Sequence, residues 1–333
     1  MREARRLLLL GGAAVMAVGT ALLFQPESER REAIAPGALA FPGLAARLPD
    51  VQRVEIRRGD ARLNLLRVGE GWAVAEAHSY LARPERVREL LTGLTELRLT
   101  EERTSDPAML SRLGVEDPQA PGSSSTLLRL LGADGSPIVE LILGRRRVRT
   151  QGNVPETVYV RRPGEARAWL AEGRLAAEQD PQLWLDRDIA NIAPARIRRV
   201  EVARAGEAPL VIGRHPDGQQ LLRIEQPESA PAADPLNLDE VGRAFEMLTF
   251  IEVRPEAEIP GEALGEGRFE LTDGLAIAVW ASRDGNLLWI RLRAEGTTPE
   301  ATALNARWRG WAYQVGVWKE KAMVPRLEDL LPS

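Results

Sequence analysis

RVEIRRGDARLNLLRVGEGWAV, residues 53–74, places apolar side chains at alternate positions on both sides of Gly59-Asp60 and again before Gly69. That is the period of strands with one buried face, separated by turn residues. Val54 and Ile56 share a face of one strand; Leu63 and Leu65 share a face of the next. The pattern recurs downstream. Arg199-Val200-Glu201-Val202 repeats Arg53-Val54-Glu55-Ile56 at an offset of 146, Ala205-Gly206 takes the place of the turn, and Leu210 and Ile212 take the places of Leu63 and Leu65. Gly71 and Gly218 each lead into a third strand.

A helical period follows in both copies. Val87, Leu90, Leu91, Leu94 and Leu97 form one apolar face, and Val241, Ala244, Phe245, Leu248 and Ile251 repeat the spacing. Pro84 suits a first helical turn, and Asn237 or Asp239 is expected to cap the second helix. Asp134-Gly135 and Asp273-Gly274 each interrupt an apolar run, as hairpin turns do. Val158-Tyr159-Val160 aligns with Ala312-Tyr313-Gln314, and a closing helix is expected after each. The fold class expected is α+β: an N-terminal transmembrane helix, then two duplicated α+β units with antiparallel hairpins packed on helices. The divisions expected are a cytoplasmic stub (1–6), an anchor (7–24), a juxtamembrane spacer (25–49), a first repeat (50–190) and a second (191–333).

The anchor rests on LLLLGGAAVMAVGTALLF, 18 residues without a charge, preceded by Arg2, Arg5 and Arg6. As a helix it would span about 27 Å, near the ~30 Å hydrocarbon core. Its apolar body is Leu7, Leu8, Leu9, Leu10, Val15, Met16, Val18, Leu22, Leu23 and Phe24. Basic residues ahead of the span keep that end in the cytoplasm and send the rest across a bacterial inner membrane. The rival is a cleaved signal peptide, with Gly19 and Ala21 small at cleavage spacing; the bulky Leu22, Leu23 and Phe24 behind them favour the anchor. Both readings put the bulk outside the cytoplasm.

Composition narrows the function classes. The 333 residues carry a net charge of −4, which argues against a nucleic-acid partner. Of the 44 basic residues only Lys319 and Lys321 are lysines, a bias that fits a GC-rich bacterial genome. There is no cysteine, which removes thiol catalysis, thiolate metal sites and disulfides. No P-loop, Gly-x-Gly-x-x-Gly or Gly-x-Ser-x-Gly motif is present, and the sequence calls for no cofactor.

Several segments resemble one family: Phe41-Pro42-Gly43-Leu44, Val54-Glu55-Ile56, Gly71-Trp72 with Val74, Tyr159-Val160-Arg161, Trp184-Leu185-Asp186-Arg187-Asp188, and the closing Trp318-Lys319-Glu320 through Leu331. Together with the anchor they are similar to the domain of unknown function 4340 family. The resemblance implies a membrane-anchored envelope protein of the kind encoded beside ABC-type export components like those linked to gliding motility. No catalytic residues are established for the family, so none carries over.

Four candidate features remain. Asp186 and Asp188 form an Asp-x-Asp that could hold Mg²⁺ or Mn²⁺, or simply a polar junction after a helix carrying Trp184. His78 and His215, the only histidines, each fall in an expected turn. Arg145, Arg146, Arg147 and Arg149 form a basic run suited to lipid phosphates or an acidic polymer, or a solvated loop. Trp308, Trp311 and Trp318 crowd the C-terminus as core plugs or as an interaction surface. The leading expectation is a non-catalytic, membrane-anchored periplasmic accessory of an ABC-type transport system, with the inner membrane and permease components as partners. The rivals are a glycan- or peptide-binding protein with an interdomain groove, and a metal-dependent hydrolase or transferase at Asp186 and Asp188.

Overall fold

The computed structural model describes residues 36–147, 155–214, 222–259 and 261–332. The expected anchor at 7–24, Arg149 and His215 lie outside the described residues. Among the described residues no helix is long and apolar enough to cross a membrane.

Two large antiparallel sheets make up the body. The first has ten strands: β1 (Ala38–Leu39), β2 (Arg53–Arg58), β3 (Ala61–Val68), β4 (Gly71–Val74), β5 (Tyr80–Leu81), β6 (Arg98–Glu102), β7 (Thr126–Leu131), β8 (Pro137–Arg147), β9 (Thr157–Arg161) and β10 (Ala168–Glu172). A short link follows, where β11 (Asp188–Ala190) pairs with β15 (Leu248–Thr249). The second sheet has eight strands: β12 (Ile197–Ala203), β13 (Leu210–Arg214), β14 (Leu222–Gln226), β16 (Glu252–Pro255), β17 (Glu262–Leu271), β18 (Ala276–Asp284), β19 (Leu287–Glu295) and β20 (Trp311–Val315).

The first sheet runs β1-β6-β10-β9-β8-β7-β2-β3-β4-β5, and the second, read from its far edge, runs β16-β20-β19-β18-β17-β12-β13-β14. The eight shared positions follow the same order. β1 and β5 are extra edge strands of the first sheet. In this order β9 matches β19 and β10 matches β20. The strand of Tyr159 is thus equivalent to that of Trp289, not to that of Tyr313 as the sequence alignment has it. The slip arises because the β9–β10 connection is a tight turn, with the Glu165 N–H donating to the Arg162 carbonyl at 3.1 Å, whereas a helix separates β19 from β20.

Among the described residues helices are few: α1 (Leu44–Arg47), α2 (Pro84–Glu96), α3 (Pro107–Leu113), α4 (Pro235–Gly242), α5 (Pro299–Trp308) and α6 (Lys319–Met323). The fold of the described residues is mostly antiparallel sheet, and the expected α+β class, with its hairpins packed on helices in two α+β units, is corrected accordingly. The second helical face explains the error. Val241 to Ile251 keeps a helical spacing, but α4 stops at Gly242, Met247 adopts a left-handed φ of 44°, and Leu248 enters β15. A short apolar run fits both periods, and pairing with β11 settles it as strand. The cap of α4 is Asp234, whose carboxylate accepts from the Leu236 N–H at 2.9 Å, rather than Asn237 or Asp239. Trp184 follows a 3₁₀ turn, Pro181–Leu183, instead of a helix.

Periodicity is realised as burial. Val54, Ile56, Leu63 and Leu65 are buried, as are Val200, Val202, Leu210 and Ile212, and they belong to one apolar core that runs through both sheets. Val87, Leu90 and Leu94 of α2 pack into it. The expected spacer is docked from residue 36 onward: Ala38 pairs with Leu99, Ala40 and Leu44 are buried, and the Arg162 guanidinium donates to the Ala40 carbonyl at 2.7 Å. Apolar side chains at these positions remove the segment from water.

Gly93 tests packing against propensity. In a helix interior Gly→Ala normally stabilises by about 0.5–1 kcal/mol. Here a Cβ at residue 93 would stand 2.5 Å from the Arg174 carbonyl oxygen, a backbone atom. Gly93→Ala is therefore expected to destabilise by about 1–3 kcal/mol, read as a lower urea midpoint at unchanged slope.

Candidate functional site

The region joining the sheets is built by backbone hydrogen bonds before any side chain contributes. The Arg83 N–H donates to the Trp184 carbonyl at 2.7 Å, and the Asp186 N–H donates to the Leu81 carbonyl at 3.0 Å. The link thus lies beside β5 and Ala82. It then passes into β11, which pairs with β15. Beyond β15 the Phe250 N–H reaches the Arg187 carbonyl, and the Ile251 N–H donates to the Gln314 carbonyl at 2.7 Å.

Aromatic rings fill this seam. Tyr80, fully buried, stands edge-on to Phe250, Trp311 and Tyr313, with ring centroids 5.3, 4.9 and 6.1 Å away. Edge-to-face pairs contribute about 0.5–1.5 kcal/mol each beyond area burial. The two phenol oxygens are 3.4 Å apart, and the Tyr313 hydroxyl donates to the Arg307 carbonyl at 3.1 Å. Burial pushes both phenols above the ordinary tyrosine range, most of all Tyr313. Trp308 is buried, and its indole N–H donates to the Ile189 carbonyl at 3.0 Å.

Asp186 belongs to the same clasp. Its Oδ2 lies 2.8 Å from the Arg307 guanidinium, which also donates to the Asp188 carbonyl. The Asp-x-Asp is therefore a corner held by an arginine. Among the described residues no group of three or more His, Cys, Asp or Glu is placed to hold a metal ion. His78 occupies a turn with φ 55°.

The basic run divides at the end of β8. Arg146 is ion-paired with Glu156 and lies 3.9 Å from Glu178. Arg147 stands over the Tyr159 ring at 5.6 Å, with Arg103 also against that ring at 5.9 Å. Arg145 has no ion-pair partner among the described residues. The tryptophans divide as well. Trp308 and Trp311 serve the core and seam, while Trp318 is 68% exposed.

Trp318 has company that the sequence reading missed. Lys319 Nζ donates to the carbonyls of Arg243 at 3.2 Å and Ala244 at 3.0 Å, and Ile251 is pinned to Gln314. Residues 243–251 therefore run antiparallel past residues 314–319. Ile251, exposed, thus comes close to the segment that carries the exposed Val317 and Trp318, while Met247 (77% exposed) borders a shallow hollow with Asn191 and Arg307, its N–H donating to the Asn191 side chain at 3.1 Å. The Trp318 ring lies against Gly316, where an added Cβ would sit 2.1 Å from it, so one ring face packs on backbone and much of the indole meets water. Burial holds the Lys319 ammonium below the usual lysine range. Gly242 was the sequence signal that α4 stops early and frees Met247 and Ile251 from the core.

A family model described as "Domain of unknown function (DUF4340)" matches residues 72–264, more than half of the chain and a span that includes the seam's Tyr80, Asp186 and Phe250. No curated protein and no solved structure matches.

The seam yields a pH-dependent prediction. A phenol that stays neutral in the folded state above its unfolded value, near 10, retains a proton that the unfolded chain loses. Stability should therefore fall as pH rises through 10. Tyr313→Phe is expected to cost about 1–3 kcal/mol at neutral pH, by unsatisfying the Arg307 carbonyl, and to make the alkaline decline shallower. Urea unfolding between pH 7 and 11 measures both.

Proposed function

We propose, from the premise that this chain belongs to the DUF4340 family, that it is a non-catalytic accessory protein of the bacterial envelope. The two-sheet body is held outside the cytoplasm by the charge-free N-terminal stretch, and it works by docking a membrane protein of the ABC-type permease class. The observation that carries this reading is the set of exposed apolar side chains, Met247, Ile251, Val317 and Trp318, on two segments that run past one another at the edge of a body stiffened by the seam. Exposed aromatic and methionine side chains are what a protein partner buries. The polar groups best suited to chemistry favour the same reading, since Asp186, Tyr80 and Tyr313 are engaged in holding the sheets together.

This apolar set also explains the choice of partner. A permease offers a periplasmic surface fixed at the bilayer, and an anchor on the docking protein raises its local concentration there. A weak apolar contact is then enough.

The experiment uses the full chain, tagged and extracted from membranes. Met247→Glu with Trp318→Glu should preserve the thermal melt, because both side chains are exposed, and should reduce recovery of a permease-class partner at least tenfold. Equal recovery with the double variant would sink these side chains as the docking surface. A C-terminal reporter active only in the cytosol, if it lit up, would refute the location.

A further inference from the structure

A second feature of the second sheet is independent of those apolar side chains. β19 outruns β20: their pairing ends at Ile290 with Tyr313, and β19 continues to Glu295. The space beside that overhang is walled by α5, the helix for which the first sheet has only the tight turn at Arg162. Asn305 fixes the wall, accepting from the Ala294 N–H at 2.9 Å and donating to the Ala294 carbonyl at 2.7 Å. The result is an open cleft of about 880 Å³.

Arg291 and Arg293 of β19 line it, together with Arg309 from the turn after α5 and Trp280 from β18. Residues two apart on a strand project from one face, about 7 Å apart. Trp280 is directly opposite Arg291 in the register, and that guanidinium lies 5.7 Å from the indole centroid. None of the three arginines has an ion-pair partner among the described residues. Their neighbours differ. Arg268 is paired with Glu270 and with Glu295, so the carboxylate at the far end of β19 is already taken. Glu256, on the rim of the cleft, also lies beyond ion-pair distance of all three.

Three cations that outnumber the one unpaired carboxylate lining the same concave site, Glu256, repel one another and favour a further anion between them. Guanidinium groups bind carboxylates with two parallel hydrogen bonds. A half-buried indole beside them offers an apolar face suited to the C–H surface of a sugar ring, and Glu256 offers an acceptor to its hydroxyls. We propose that this cleft binds an acidic glycan, a chain of sugar rings bearing carboxylates. The carboxylates sit at Arg291, Arg293 and Arg309, and a ring packs against the Trp280 edge of the cleft.

Calorimetric titration of the purified protein with tetragalacturonate tests this, beside a neutral galactose tetrasaccharide and inorganic phosphate. Tetragalacturonate is expected to bind at low salt and to lose at least tenfold in affinity in 0.5 M NaCl, as exposed charge contacts are screened. Arg291→Gln with Arg293→Gln should weaken it at least tenfold at an unchanged thermal melt, and the neutral tetrasaccharide should not bind. Trp280→Ala should weaken the saccharide as well, and should that variant fail to fold, the arginine pair, on the solvent side of the strand, still decides the outcome. Equal affinity in the arginine variant, no binding at millimolar saccharide, or phosphate binding as tightly as the saccharide would each overturn the assignment. Loss of the exposed apolar side chains would leave this binding intact, so the two readings fail separately.

Discussion

Tyr80 leaves the last strand of the first sheet and buries its ring among Phe250, Trp311 and Tyr313 of the second half of the chain. That packing is the constraint on which the rest of the structure depends. Around it the link from Trp184 to Ala190 hydrogen-bonds to β5 on one side and to β15 on the other. Arg307 then ties Asp186 to the same place. A polar network enclosed by aromatic rings is strong only while every member keeps its partner. The phenol pair and the arginine carbonyl satisfy one another, so two sheets that could have swung on a linker share one apolar core.

The two halves repeat a strand order and differ where they matter. β5 exists only in the first sheet, and it supplies Tyr80. The matching stretch of the second half contains Pro227 and Pro231, which lack the N–H that an edge strand needs. β14 is accordingly left at the sheet edge. Yet the anchoring of the next helix is the same: the Asp234 N–H meets the Leu330 carbonyl at 2.8 Å just as the Arg83 N–H meets that of Trp184. Conversely α5 exists only in the second half, and it creates the arginine-lined cleft. Divergence between copies, more than the shared scaffold, generates both the seam and the arginine-lined cleft.

The arginine bias also resolves into distinct physical roles. Most guanidinium groups with acidic neighbours sit at the surface, as in Arg243 with Asp239 and Glu246, where such pairs contribute little to stability. A few are buried and held at least in part by backbone, such as Arg161 on the Val115 and Glu165 carbonyls and Arg204 on that of Val324, the latter also paired with Glu320 and Glu207. Burial lowers the affinity of both groups for their proton, since a charge in a poorly solvated site is penalised. Arg291, Arg293 and Arg309 fall in neither class. Composition treats all of these residues alike, and only their surroundings separate them.

Local chemistry made several elements legible from sequence alone. Alternation at Val54, Ile56, Leu63 and Leu65 determined the first hairpin, the Asp-Gly pairs determined the β7–β8 and β17–β18 turns, and the run from Val87 to Leu94 determined α2, because each depends on neighbours a few residues apart. The charge-free stretch at residues 7–24 likewise gave its expectation without any fold. Tertiary structure alone decided that Leu248 pairs as a strand, that β9 matches β19, that Trp308 is buried while Trp318 is exposed, and that Asp186 answers Arg307. Those outcomes depend on which distant segments meet, and no spacing along the chain carries that information.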